Sequence, residues 1–174
     1  MSIGRQNILD IKTIDRVHSE VHDGDLYSIT AYGTLTANQV LRLLMDTKTK
    51  NQHFVDQVYT SGPAIVNMYE SCYASTTAGL VDVNNKNRAS TNVAVIKVYS
   101  TVAITTNGTM LINAMIVGNT GGGTGVNVVA SESDSIRNSS EWVLKKNTNY
   151  LLAITNTASA SIFFNFIAET YGEE

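Results

Sequence analysis

The chain has 174 residues, the size of a single domain, and is long enough to bury roughly 70 % of its unfolded surface without disulfides or a structural metal. Charge is scarce: 12 basic and 15 acidic residues leave a net charge of -3, whereas Thr, Asn and Ser together number about 52. An apolar share of 43 % excludes disorder, and the weak negative charge repels phosphate backbones, which excludes nucleic acid as a partner.

In chain order, Met1 to Asn7 lack the basic-then-apolar pattern of a signal peptide, and no later apolar run reaches membrane-spanning length, so a protein made in a cytosol with no membrane partner is expected. Ile8, Ile11, Ile14 and Val17 recur every three residues, which predicts a short helix or docking arm over residues 1–16, ahead of one domain over 17–174. Strand-like alternation begins over 26–32. Thr36-Ala37-Asn38-Gln39 has the form of a helix capping box, yet Val40 to Met45 also fits a buried strand, and propensity leaves both open. Further strands are expected over 52–60, 64–70, 92–99, 109–117, 141–145, 150–156 and 160–169. In the 109–117 segment Met110, Ile112, Ala114 and Ile116 share one face. In the last segment Ala160, Ile162, Phe164, Phe166 and Ala168 do. Ser61-Gly62-Pro63 and Asn147-Thr148 read as turns, and Asn107-Gly108 as the two-residue turn of a hairpin. The glycine-rich stretch from Gly118 to Ser140 reads as a long loop. Eight or nine short strands with little helix predict an all-β, antiparallel two-sheet sandwich of jelly-roll type.

Candidate chemistry is thin. The glycine-rich stretch lacks the Lys and Ser or Thr of a phosphate-binding loop, because Thr124 and Gly125 stand there. His18 and His22 flank Glu20 at helical spacing for a zinc pair, with His53 the only other histidine, but Ser19 stands where a metalloprotease needs Glu. Asp82, Asn84 and Asn87 begin like a calcium loop, but Lys86 takes a ligand position. A compact turn bonded to its own backbone, with Arg88 tying it down, is the expected alternative. Asp23 and Asp25 around Gly24 predict a turn that caps backbone rather than a glycosidase pair. No serine sits in a nucleophile elbow. Cys72, with no second cysteine to pair with, is expected to be a small buried filler. No catalytic, cofactor or metal residue is therefore assigned.

Several pieces occur in an order that resembles the β-sandwich head decoration (cement, or auxiliary capsid) proteins of tailed bacteriophages. They are Glu20-Val21-His22-Asp23-Gly24, Thr60-Ser61-Gly62-Pro63, Met68-Tyr69-Glu70, Asn84-Asn85-Lys86-Asn87-Arg88 and Asn107-Gly108-Thr109. Glu141-Trp142-Val143-Leu144-Lys145-Lys146-Asn147-Thr148-Asn149-Tyr150 follows, and a final strand reaches Glu169-Thr170-Tyr171. The family usually closes on Trp-Tyr-Glu, and here Glu169-Thr170-Tyr171 differs. The resemblance implies a strand over Val40 to Met45 and no catalytic residues. It also implies a non-enzymatic virion protein, made in the bacterial host cytoplasm, that sits on the capsid exterior as a homotrimer, binds the major capsid protein and stabilises the head. The N-terminal stripe or the Gly118 to Ser140 loop is the expected arm. The alternative expectation is a receptor- or glycan-binding module of a phage tail or fibre that stacks sugars on Tyr27, Tyr32, Tyr59, Tyr69, Tyr73 or Trp142. Trp142, beside Val143 and Leu144, is expected instead to pack in the core. A minor capsid or tail-tube component is a third expectation.

Overall fold

A computed structural model describes residues 19–117 and 141–173. The predicted arm over 1–16, His18 and the loop from Gly118 to Ser140 lie outside the described residues.

Among the described residues, a short helix over residues 19–23 leads into eleven strands. These are β1 (Leu26–Leu35), β2 (Val40–Asp46), β3 (Asn51–Thr60), β4 (Ala64–Glu70), β5 (Tyr73–Val81), β6 (Val83–Asn85), β7 (Lys97–Thr106), β8 (Thr109–Ile116), β9 (Trp142–Leu144), β10 (Asn149–Asn156) and β11 (Ile162–Glu173). One sheet has the order β6-β1-β11-β3-β9 and the other β5-β7-β2-β10-β4-β8. Without β5, β6 and β7, the orders β1-β11-β3-β9 and β2-β10-β4-β8 are those of a jelly roll, two Greek keys folded into a sandwich. The three extra strands form one insertion between β4 and β8 and extend both sheets.

Alternation builds the core. On β11, Ile162, Phe164, Phe166 and Ala168 point inward with at most 4 % exposure, and they meet Ile29 and Leu35 of β1, Phe54 and Val58 of β3, and Met45, Val66, Met68, Leu152 and Ile154 of the facing sheet. Trp142 packs against the same cluster, as expected for a core tryptophan. On β8 the pattern breaks. A bulge opposite Met68 and Tyr69 skips Leu111, which turns Leu111 towards the core and leaves Met110, predicted to share a face with Ile112, 50 % exposed.

The Thr36 capping box is half formed, and it does not start a helix. Gln39 Oε1 accepts from the Thr36 N–H at 2.9 Å, but Asn38 takes a left-handed φ of 61°, which turns the chain into strand β2. Asn147, with φ 53°, makes the predicted turn between β9 and β10.

Asn107-Gly108 is not a hairpin turn: β7 and β8 do not pair with each other. β4 runs on into β5 and β7 into β8, so the two passes form one long antiparallel ribbon whose halves sit at opposite edges of the six-stranded sheet. Between the halves the ribbon crosses the outer face of β10 and β2. Cys72 donates its N–H to Asn149 O at 3.3 Å, and a second small core forms from Cys72, Leu44 and Leu151 against Tyr69, Ala74, Tyr99, Val102 and Ile104. That cover is why β10 is buried on both faces over Tyr150 to Ile154. Gly108, at φ 82°, sits at the crossing, where a Cβ would come within 2.1 Å of Glu70 O.

The strand expected over 92–99 starts only at Lys97, and β5 was not expected at all. Most of the Tyr73–Val81 sequence is exposed on both sides, so it carries no two-residue apolar period to read.

Candidate functional site

The residues singled out for chemistry serve the backbone instead. Asp23 Oδ2 accepts from Ser19 Oγ at 3.0 Å, and the Gly24 and Asp25 N–H groups return to Val21 O and Glu20 O, so the Asp-Gly-Asp turn closes the short helix. The asparagine-rich turn holds itself together through Asn87 N–H to Asn85 Oδ1 at 2.8 Å and Ala89 N–H to Asn87 Oδ1 at 3.1 Å. It also grips the helix end, with Asn85 Nδ2 donating to Gly24 O at 2.6 Å and Asn87 Nδ2 to His22 O at 3.0 Å. Arg88 is exposed and takes no part in these bonds, so the expected tie through its guanidinium is replaced by the asparagine amides. Among the described residues, no three His, Cys, Asp or Glu side chains converge as metal ligands. Cys72 is 2 % exposed, and burial pushes its thiol up to about 11.

The six tyrosine and tryptophan candidates do not converge. Tyr27 is buried, Tyr69 packs on the small core, and Tyr73 is 71 % exposed on β5. Tyr32 and Tyr59 share the outer face of the five-stranded sheet, with Asn165 between them.

That face is built by register. Tyr32 of β1, Asn165 of β11 and Tyr59 of β3 lie in one row across three strands, with Thr34 and Phe163 in the row on one side and Thr30, Ile167 and Gln57 on the other. All eight are uncharged. Tyr32 is 74 % exposed, Phe163 51 % and Ile167 37 %, while Tyr59 donates its hydroxyl to Gln57 Oε1 at 2.6 Å. Exposed aromatic and aliphatic side chains interleaved with hydroxyls and amides offer contact area and hydrogen bonds rather than ion pairs. Salt screens such contacts weakly.

Charge is confined to the other end of the same face. Lys86 pairs with Glu169. Beyond it, His53 stacks on its cross-strand partner Tyr171 with ring centroids 4.4 Å apart, its Nδ1 2.5 Å from Glu141 Oε1, which also accepts from the Tyr171 hydroxyl at 2.9 Å. These bonds fix the end of β11 against the segment entering β9.

Sequence reading missed this face because it takes every second residue from three strands that are distant in the chain. The signal present was the exposed half of the β11 alternation, Phe163, Asn165 and Ile167. No known protein family, curated protein or solved structure matches the chain.

Proposed function

We infer that this chain is a non-enzymatic virion structural protein that coats the outside of a tailed-phage capsid, seating on the major capsid protein through the uncharged outer face of its five-stranded sheet. The observation that carries this reading is that face: eight neutral residues in three rows, with Tyr32, Phe163 and Ile167 left in solvent. Among the described residues, the six-stranded sheet is roofed by its own ribbon and the outer face of the five-stranded sheet carries no such cover, so that face is a broad surface to offer a partner.

The motifs behind the family resemblance support the reading in a second way, because they hold one another. The Glu20 to Gly24 piece is gripped by the Asn84 to Arg88 piece through the two asparagine amides. Glu70, at the end of the Met68 piece, accepts from Lys145 Nζ and from the Tyr150 hydroxyl, each at 2.8 Å, in the middle and at the end of the Trp142 block. The lysine and phenol bonds hold the Glu70 carboxyl below its usual range. Their order is thus tied to the frame of this fold. Each copy docks on a patch of standard size, and a trimer on a three-fold or quasi-three-fold position multiplies that contact into avidity that stabilises the head against DNA pressure.

The test uses heated or chelator-treated shells that lack the protein. Purified protein binds them and raises their rupture temperature, whereas a Tyr32→Asp, Phe163→Asp double variant keeps the wild-type unfolding midpoint and loses binding. Wild-type protein that leaves the shells bare and their rupture temperature unmoved refutes the reading. The tail or fibre module predicts a handful of copies per particle where the decoration protein predicts hundreds, and quantified virion gels separate the two.

A further inference from the structure

At the end of the sandwich where β1 and β3 begin and β11 finishes, the structure contains a cavity of about 270 Å³. Asp25, Tyr27, Lys50, Gln52, Asn92, Val93 and Val95 line it. Gln52 points inward from β3, is only 2 % exposed, and uses its Oε1 to accept from Thr170 Oγ1 at 3.1 Å, while its Nε2 has no partner. A buried amide N–H without an acceptor is costly and rare, and one on a cavity wall points to a ligand that supplies the acceptor.

No side chain stands across from that amide on the neighbouring strand β11. Gly172, directly across from Gln52 on β11, also lines the cavity, and a Cβ there would lie 3.3 Å from Gln52 Nε2 and 3.1 Å from Lys50 Cδ. Asp25 Oδ1 accepts from Asn92 Nδ2 at 3.2 Å, which fixes the carboxylate at the rim. Val93 stands 84 % exposed beside it, an aliphatic side chain with little to pack on. Burial and the Asp25 charge raise the Tyr27 phenol above its ordinary value, so it stays a neutral hydroxyl.

We propose that this mouth binds a single neutral monosaccharide unit, with Gln52 Nε2 donating to one hydroxyl, Asp25 accepting from a neighbouring one, and Val93 and Val95 covering the C–H face of the ring. A sugar ring carries donors and acceptors on adjacent carbons together with an aliphatic face, which is the combination lining this cavity. An inorganic anion finds Lys50 but also meets the Asp25 carboxylate, a neutral ligand with hydroxyls suits both, and a wholly apolar ligand leaves Gln52 unsatisfied. The volume is just below the 300–1,000 Å³ common for drug-sized ligands, so one ring fits and a longer glycan continues into solvent. The inference is independent of the capsid reading, since it concerns the isolated protein and a different part of its surface.

The experiment is saturation-transfer NMR and calorimetric titration of the full chain with D-glucose, D-galactose, D-mannose and N-acetyl-D-glucosamine, with glycine and inorganic phosphate as comparison ligands. At least one sugar saturates in the millimolar range. Gln52→Leu and Gly172→Ala each weaken it by about tenfold or more while retaining a cooperative melt. Val93→Asp, at an exposed position, takes the place of either variant that fails to fold. Absence of saturation by every sugar, tighter binding of glycine or phosphate, or binding that either variant leaves unchanged overturns the proposal.

Discussion

At the scale of single residues, buried polar groups divide into those the fold satisfies and those it tolerates. Asn156 is wholly buried and binds four backbone groups: its Nδ2 donates to Leu35 O, Thr36 O and Ala160 O within 3.0 Å, and its Oδ1 accepts from Ala158 N–H at 2.8 Å. It joins the β1–β2 turn to the β10–β11 turn. Asn156→Ala strands those groups, and chemical denaturation is expected to show a loss of about 2–3 kcal/mol. Asp56 is a tolerated case. It lies 6 % exposed between Phe54 and Val58 on the inward side of β3, and burial raises its carboxyl to about 6. Because the folded value lies above the ordinary value of 3.8, the folded state favours the protonated acid, so stability is highest below about 3.8 and falls as pH rises to about 6. Asp56→Asn is therefore expected to gain up to about 3 kcal/mol over wild type at pH 8 and almost nothing at pH 4. Equal gains at both pH values in urea titrations would show that ionisation is not the cause.

At the scale of elements, the inserted ribbon distinguishes this molecule from a bare eight-stranded jelly roll. Its crossing over β10 and β2 depends on two left-handed residues facing each other, Ser71 at φ 60° and Gly108 at φ 82°. Gly108→Ala brings a Cβ against the Glu70 carbonyl in a conformation alanine disfavours, and a loss of at least about 2 kcal/mol is expected. The same change at Gly33, where φ is ordinary and the nearest atom is the Phe164 ring edge at 3.2 Å, is the control and costs less. A thermal midpoint equal for the two variants would mean that the crossing is not under this constraint. The asparagine turn adds side-chain amides to the backbone bond that the Lys86 N–H makes to Leu26 O, and so continues the hold on the chain past the end of β6.

At the scale of the whole molecule, a weak net charge and a neutral outer face leave shape and hydrogen bonding to govern association. If the chain coats a lattice at three-fold positions, sedimentation equilibrium is expected to give three times the 18.8 kDa chain mass, with little change between low and high salt. A monomer at every concentration would remove the trimer from the proposed function while leaving the docking face to be tested on shells.

The sequence alone determined the fold class and much of the strand map, since a period of two states which side chains of a strand turn inward, as β11 shows from Ile162 to Ala168. It marked the turns at Asn147 and Gly24, where left-handed backbone needs Asn or Gly. Period, however, carries no information about which strands are neighbours. Asn107-Gly108 has the local chemistry of a hairpin and became a crossing, because pairing of β7 with β2 and of β8 with β4 placed the two strands apart. The uncharged face and the cavity at Gln52 were likewise decided only by tertiary structure. Both collect residues from β1, β3 and β11, and proximity across a sheet is set by register and topology rather than by anything written along one strand.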